Sequence, residues 1–188
     1  MTYRVMTICT GNICRSPMGA IVLNRMFADA GLDARATSAG VSDEEHGRGI
    51  DARAQRALAR RGYSVDRNHF AHRVSDDELR EADLVLAMTS SHYSRLEQRA
   101  QTARIVLDTA TPGECGENPA TQQTTRLMMW RSFEPDLDPT VRRRELDVDD
   151  PWYGDASDFE TTLDTLERCA EAIVDFVRRD AAARRDDA

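Results

Sequence analysis

Cys9, Cys14, Arg15 and Ser16 fall within eight residues of one another in ICTGNICRSPMGA (Ile8–Ala20), with Gly11 and Asn12 between the cysteines and Pro17 directly after Ser16. Three readings compete for such a stretch: half of a metal site, an ordinary strand-to-helix turn, or a loop that holds an oxyanion beneath a thiolate. Gly11 allows close backbone approach, and Asn12 tolerates left-handed dihedrals better than most residues. A loop curled this way, through Thr10, Gly11, Asn12, Ile13 and Cys14, turns successive N–H groups inward, with the positive end of the next helix behind them. Arg15 adds a planar fork matched to two phosphate oxygens. Such a cradle also favours a thiolate, so Cys9 is the candidate nucleophile and the loop a candidate phosphate site. Ser16 is placed to hydrogen-bond the sulfur and ease its departure from a covalent intermediate. The metal reading is weak, because the Cys9–Cys14 pair has no second half-site and His46, His69, His72 and His92 show no ligand spacing.

The elements around this loop read as α/β. YRVMTI (Tyr3–Ile8) is a strand that ends at the loop, and Pro17 suits the first turn of the helix that follows. ARATSAG reads as a second strand, DARAQRALARRG as a helix closed by Gly62, and Ser75 with Glu78 as a capping box. DLVLAM (Asp83–Met88) has the continuous apolar character of a strand buried on both faces, with a helix from about Ser90 to Arg99 after it. RLMMW (Arg126–Trp130) is a fourth strand, and Ser157 with Glu160 predicts a capping box opening a long last helix. The order predicts a four-stranded parallel sheet with helices on both faces. The opening loop then lies beyond the carboxyl end of the first strand, where ligands bind in such sheets. Residues 104–125, rich in Gly, Pro, Thr and Asn, read as an inserted loop carrying Cys115, and residues 181–188 as a frayed tail after a single domain over 1–180.

Composition narrows the function. The chain of 188 residues carries a formal net charge of −8, which argues against nucleic acid as a partner. All 25 basic residues are arginine, and without lysine there is no Walker-type or kinase lysine and no Schiff base. No apolar run approaches the ~18 residues of a membrane span, and the N-terminus does not read as a secretory signal. With four irregularly spaced cysteines, the expected setting is a reducing cytoplasm without membrane association.

The whole string CTGNICRSP after an apolar strand resembles the signature of the low-molecular-weight protein-tyrosine phosphatases. DDPWYGDASDFE, late in the chain, resembles that family's Asp-Pro-aromatic element, and the likeness runs from Val5 to about Val177. The resemblance implies a phosphatase that needs no metal or cofactor, acts on phosphorylated proteins and is inhibited by phosphate and vanadate. Cys9 is then the nucleophile, Arg15 and the loop amides hold the phosphoryl oxygens, and Asp150 is the general acid, with Asp147 and Asp149 as rivals in the same run. Asn12 and Ser38 match positions that brace the loop, His69 falls near a third, and Cys14 matches a cysteine that forms a regulatory disulfide with the nucleophile. Trp152 and Tyr153, with Ile13, are candidates for the wall of the substrate cleft.

The pattern departs from the family in places. Where tyrosine-specific members carry an aromatic residue after SAG (Ser38–Gly40), this chain places Glu44, Glu45 and His46 on the expected cleft wall, and the two acids suit a basic substrate. Thr89 replaces an aspartate of those members, and Met-Thr-x-x-His (Met88–His92) resembles the bacterial protein-arginine phosphatases of the same family. Against that, those enzymes carry threonine where this loop has Ile13, and DPWYG favours the tyrosine type. Phosphotyrosine is therefore the expected substrate and phosphoarginine the alternative. Arsenate reduction is a lesser one, since Cys115 and Cys169 are no obvious relay pair. A catalytically dead phosphoprotein-binding module is disfavoured by the presence of Cys9, Arg15 and Asp150 together.

Overall fold

The computed structural model describes residues 1–65, 68–109, 124–138 and 140–186. Five strands form one parallel sheet in the order β2-β1-β3-β5-β4: β1 Tyr3–Cys9, β2 Ala34–Gly40, β3 Leu84–Ala87, β4 Leu107–Asp108 and β5 Thr125–Met129. Alternation along the strands builds two cores. Val5, Leu84, Leu86 and Met128 face one way, against α1 (Arg15–Asp29), α2 (Ala52–Arg60) and α5 (Ala156–Asp186). Met6, Ile8, Val85, Ala87, Leu127 and Met129 face the other way, against α3 (Asp76–Glu81) and α4 (Ser90–Ala103). Burial on both faces is why these strands read as apolar runs rather than alternating ones.

The sheet has five strands where four were expected. The extra one, β4, is a two-residue edge strand paired with β5, too short to leave a periodic signal. Ser75 and Glu78 do form a capping box at α3. At α5 the expected Ser157–Glu160 box is replaced by an Asp155–Asp158 arrangement two residues earlier. Asp155 accepts from the Ser157 amide, and Asp158 accepts from the Asp155 amide. Glu160 pairs instead with Arg60 and Arg61 of α2.

The stretch from 181, expected to fray, continues α5 through Asp186. It carries Arg184, which is buried and paired with Asp180 and Asp83. Asp180 also binds buried Arg126 of β5 and the Tyr3 hydroxyl, tying the end of α5 to the amino ends of β1 and β5. Of the inserted loop expected over 104–125, residues 110–123 with Cys115 lie outside the described residues.

Candidate active site

At the carboxyl end of β1 the chain turns through residues 10–14 into α1, and Cys9 is buried at the bottom of the turn. Asn12 makes the turn possible. Its φ of 59° is a left-handed conformation that costs most residues about 1–2 kcal/mol. Its buried side chain holds the turn: Nδ2 donates to Ser16 Oγ at 3.0 Å and Ser38 Oγ at 2.9 Å, and Oδ1 accepts from the His72 amide at 3.3 Å. His69 Nε2 lies 2.8 Å from the Asn12 carbonyl. Ser38 and His69 thus both stand on Asn12, at the positions singled out as braces. Gly40 is required where β2 passes the loop, since a Cβ there would lie 2.5 Å from the Thr10 carbonyl oxygen. The Val41 and Ser42 amides donate to the Cys9 and Thr10 carbonyls and clamp the loop from that side.

Cys9 Sγ lies 3.0 Å from Ser16 Oγ. No side chain caps α1 and no acid occupies its first turn, so the amides there and the helix dipole face the loop uncompensated. Cys14 is buried in the same loop. Burial, with Asp51 and Cys9 nearby, pushes its thiol well above the ordinary range, which keeps it protonated. Arg15, also buried, donates through Nη1 to the Val148 carbonyl at 3.2 Å and through Nη2 to Asp150 Oδ2 at 2.5 Å, while its Nε has no hydrogen-bond partner among the described residues.

The acidic run docks through its neighbours. The Val148 amide donates to the Met88 carbonyl at the end of β3, and the Asp147 carboxylate accepts from Ser90 N and Oγ at the start of α4. Asp147 therefore serves an anchor, whereas Asp150 faces the loop. Asp150, Trp152 and Tyr153 line one cavity of about 470 Å³ together with Cys9, Arg15, Ile13, Glu44 and Glu45. His46, also expected on this wall, is not among the lining residues; its amide closes a turn onto Asp43. Glu45 packs over Gly11 and pairs with Arg48.

Two contacts escaped the sequence. His92, one turn into α4, places Nε2 2.9 Å from Thr10 Oγ1, so the helix after β3 also touches the loop. Burial, with the charges of Arg15 and Arg95, pushes this imidazole down to about 3, and it stays neutral. The Met-Thr-x-x-His spacing was the available signal, since Thr89 caps α4 and so fixes where His92 points. Arg53, near the start of α2, stacks on Trp152, and a lone arginine in an arginine-rich helix gave no signal at all.

The sequence pattern of the family described as low molecular weight phosphotyrosine protein phosphatase matches residues 4–107 and 104–183. A low molecular weight protein-tyrosine-phosphatase of Streptomyces coelicolor is 34% identical over 186 residues, covering 98% of this chain and 99% of that protein. Low molecular weight protein-tyrosine phosphatase A of Mycobacterium tuberculosis is 36% identical over 172 residues, 90% of this chain and 88% of that protein. The crystal structure of YfkJ from Bacillus subtilis superposes with a TM-score of 0.72 at 25% identity, covering 95% of this chain and 96% of that one. The parallel sheet and its opening loop are thus those of a phosphatase fold. The chain belongs to the low molecular weight phosphotyrosine protein phosphatase family and is a hydrolase of that class.

Proposed function

We propose that the chain hydrolyses phosphotyrosine in proteins by way of a phosphocysteine. The observation that carries this reading is the convergence of a buried thiol, a buried guanidinium and a carboxylate on one cavity. The Cys9 thiolate attacks phosphorus in line with the leaving group. The non-bridging oxygens rest on the loop amides and the Arg15 fork, for which the unpartnered Nε is a ready donor. Asp150 gives its proton to the departing phenol oxygen as the P–O bond breaks. Its carboxylate then takes a proton from water, which attacks phosphorus and returns Cys9 as thiolate and phosphate as product. Ser16 Oγ stabilises the sulfur as it leaves. Trp152 and Tyr153 offer ring faces to the substrate phenyl group. Phosphate and vanadate occupy the same cradle and inhibit. Peroxide converts Cys9 to a sulfenic acid, which the Cys14 thiol condenses with, releasing water and leaving a reversible disulfide. The reading includes a reducing, cytoplasmic setting, supported by four cysteines too few and too irregularly spaced for a disulfide framework. Among the described residues no helix is long and apolar enough to cross a membrane.

Replacing the nucleophile tests the reading. Cys9→Ser abolishes hydrolysis of aryl phosphates while vanadate binding persists, and residual turnover overturns the assignment. A phosphoarginine substrate is the second reading, supported by Glu44 and Glu45 on the cavity wall, two carboxylates complementary to a guanidinium. Competition between phosphotyrosine and phosphoarginine peptides decides between them, with phosphotyrosine expected to be preferred.

A further inference from the structure

Arg53 does not line the cavity, yet it touches both sides of the machinery that does. The Asp51 amide donates to the Ile13 carbonyl in the phosphate loop at 2.8 Å. The Asp51 carboxylate caps α2 and grips Arg53 with both oxygens, to Nε at 3.1 Å and Nη2 at 3.3 Å. Arg53 Nη1 donates to the Gly154 carbonyl at 3.0 Å, and its guanidinium carbon stands 5.4 Å from the centroid of Trp152 and 4.6 Å from that of Phe159 in the first turn of α5. The Trp152 amide donates to Asp150 Oδ1, and Asp150 Oδ2 returns to Arg15. The contacts form a closed circuit that leaves the phosphate loop at Ile13 and re-enters it at Arg15.

We propose that Arg53 is a positioning residue for the hydrolysis: by clamping Gly154 and Trp152 to Asp51, it sets where the Asp150 carboxylate stands over the phosphate loop. The segment Asp150–Gly154 is a single short turn held at its start by Arg15 and buried Pro151, with Tyr153 almost fully exposed, and Arg53 holds its far end. The guanidinium suits this duty because its planar fork meets a carboxylate on one edge, a carbonyl on another and an aromatic ring on its face. The proposal rests on the reading of Asp150 as proton donor.

The test is turnover of a series of aryl phosphates running from good leaving groups, such as p-nitrophenol, to poor ones, such as phenol, together with the vanadate inhibition constant. A displaced acid is felt most by the poorest leaving group. Arg53→Met is expected to lower kcat for phenyl phosphate by about 10–100-fold and for p-nitrophenyl phosphate by about threefold or less, with vanadate affinity unchanged within about twofold. Arg53→Lys keeps the charge but loses the fork and falls between wild type and Arg53→Met, which covers the case in which the methionine variant fails to fold. Introduced into an Asp150→Asn background, either substitution adds no further leaving-group dependence, because the group being positioned is already disabled.

Equal losses across the series, a parallel loss of vanadate affinity, or full additivity with Asp150→Asn makes Arg53 a merely structural residue and overturns the proposal. An Asp150→Asn variant whose leaving-group dependence is as flat as that of the wild type overturns the acid assignment and this proposal with it. A steep Asp150→Asn beside a flat Arg53→Met overturns the role of Arg53 alone.

Discussion

Arg15 Nη2 lies 2.5 Å from Asp150 Oδ2, joining a buried guanidinium at the base of the cavity to a half-exposed carboxylate at its rim. The same guanidinium carries the Val148 carbonyl, so one side chain both lines the cavity beside Cys9 and seats the segment that bears Asp150. Arg15→Lys should therefore fail on two counts, since an ammonium is a point charge without the fork. The expected loss in kcat/KM is about 10²–10³, with weaker vanadate inhibition. Steady-state kinetics on an aryl phosphate checks both.

Asn12 combines a left-handed backbone with a fully buried amide serving three partners. Asn12→Gly keeps the backbone and removes the side chain; Asn12→Ala removes both advantages. Chemical denaturation is expected to show a loss of about 1–3 kcal/mol for glycine and about 1 kcal/mol more for alanine. Vanadate affinity should fall in the same order.

His92 gives the stability a pH dependence. Folded, its imidazole is pushed down to about 3; unfolded, it takes up a proton near 6.5. The unfolded chain thus binds the extra proton between those values, and stability falls as pH falls through that window, by at most about 1.4 kcal/mol per unit from this group. Between pH 7 and pH 5 the melting temperature of the wild type should drop more than that of His92→Gln.

The buried arginine–aspartate network lies at the other end of the sheet. Tyr3 and Cys9 terminate β1, which at ~3.3 Å per residue sets them roughly 20 Å apart. Asp180→Asn leaves Arg126 and Arg184 short of a buried carboxylate and should cost about 3 kcal/mol. Turnover per folded molecule should not change, which measuring kcat beside the unfolding curve establishes.

What was legible in the sequence was what is local. The loop after β1 is one contiguous string whose glycine, asparagine and arginine carry their own geometric reasons, and the buried strands announce themselves as apolar runs. The edge strand β4 left no signal because two half-buried residues have no period. The cap at α5 was misplaced because the Ser157–Glu160 spacing is correct for a box, but Arg60 and Arg61, about a hundred positions earlier, compete for Glu160. The frayed tail was misjudged for a related reason: a run of alanines and arginines reads as solvated until Asp83 and Asp180 are brought to Arg184. Arg53 and His92 belong to the same class, since their meaning lies in Trp152 and Thr10, which only the fold delivers.

The span between Arg15 and Asp150 has a consequence during synthesis. In chain order the guanidinium comes first, and the Asp150 carboxylate that it holds follows 135 positions later. A chain cut short before that point also lacks α5, whose Phe159, Leu163, Leu166 and Ile173 share one core with Cys9, Cys14 and Met18. Truncated products should therefore lose vanadate binding together with turnover, because the loop is seated only once the last helix has packed against the first.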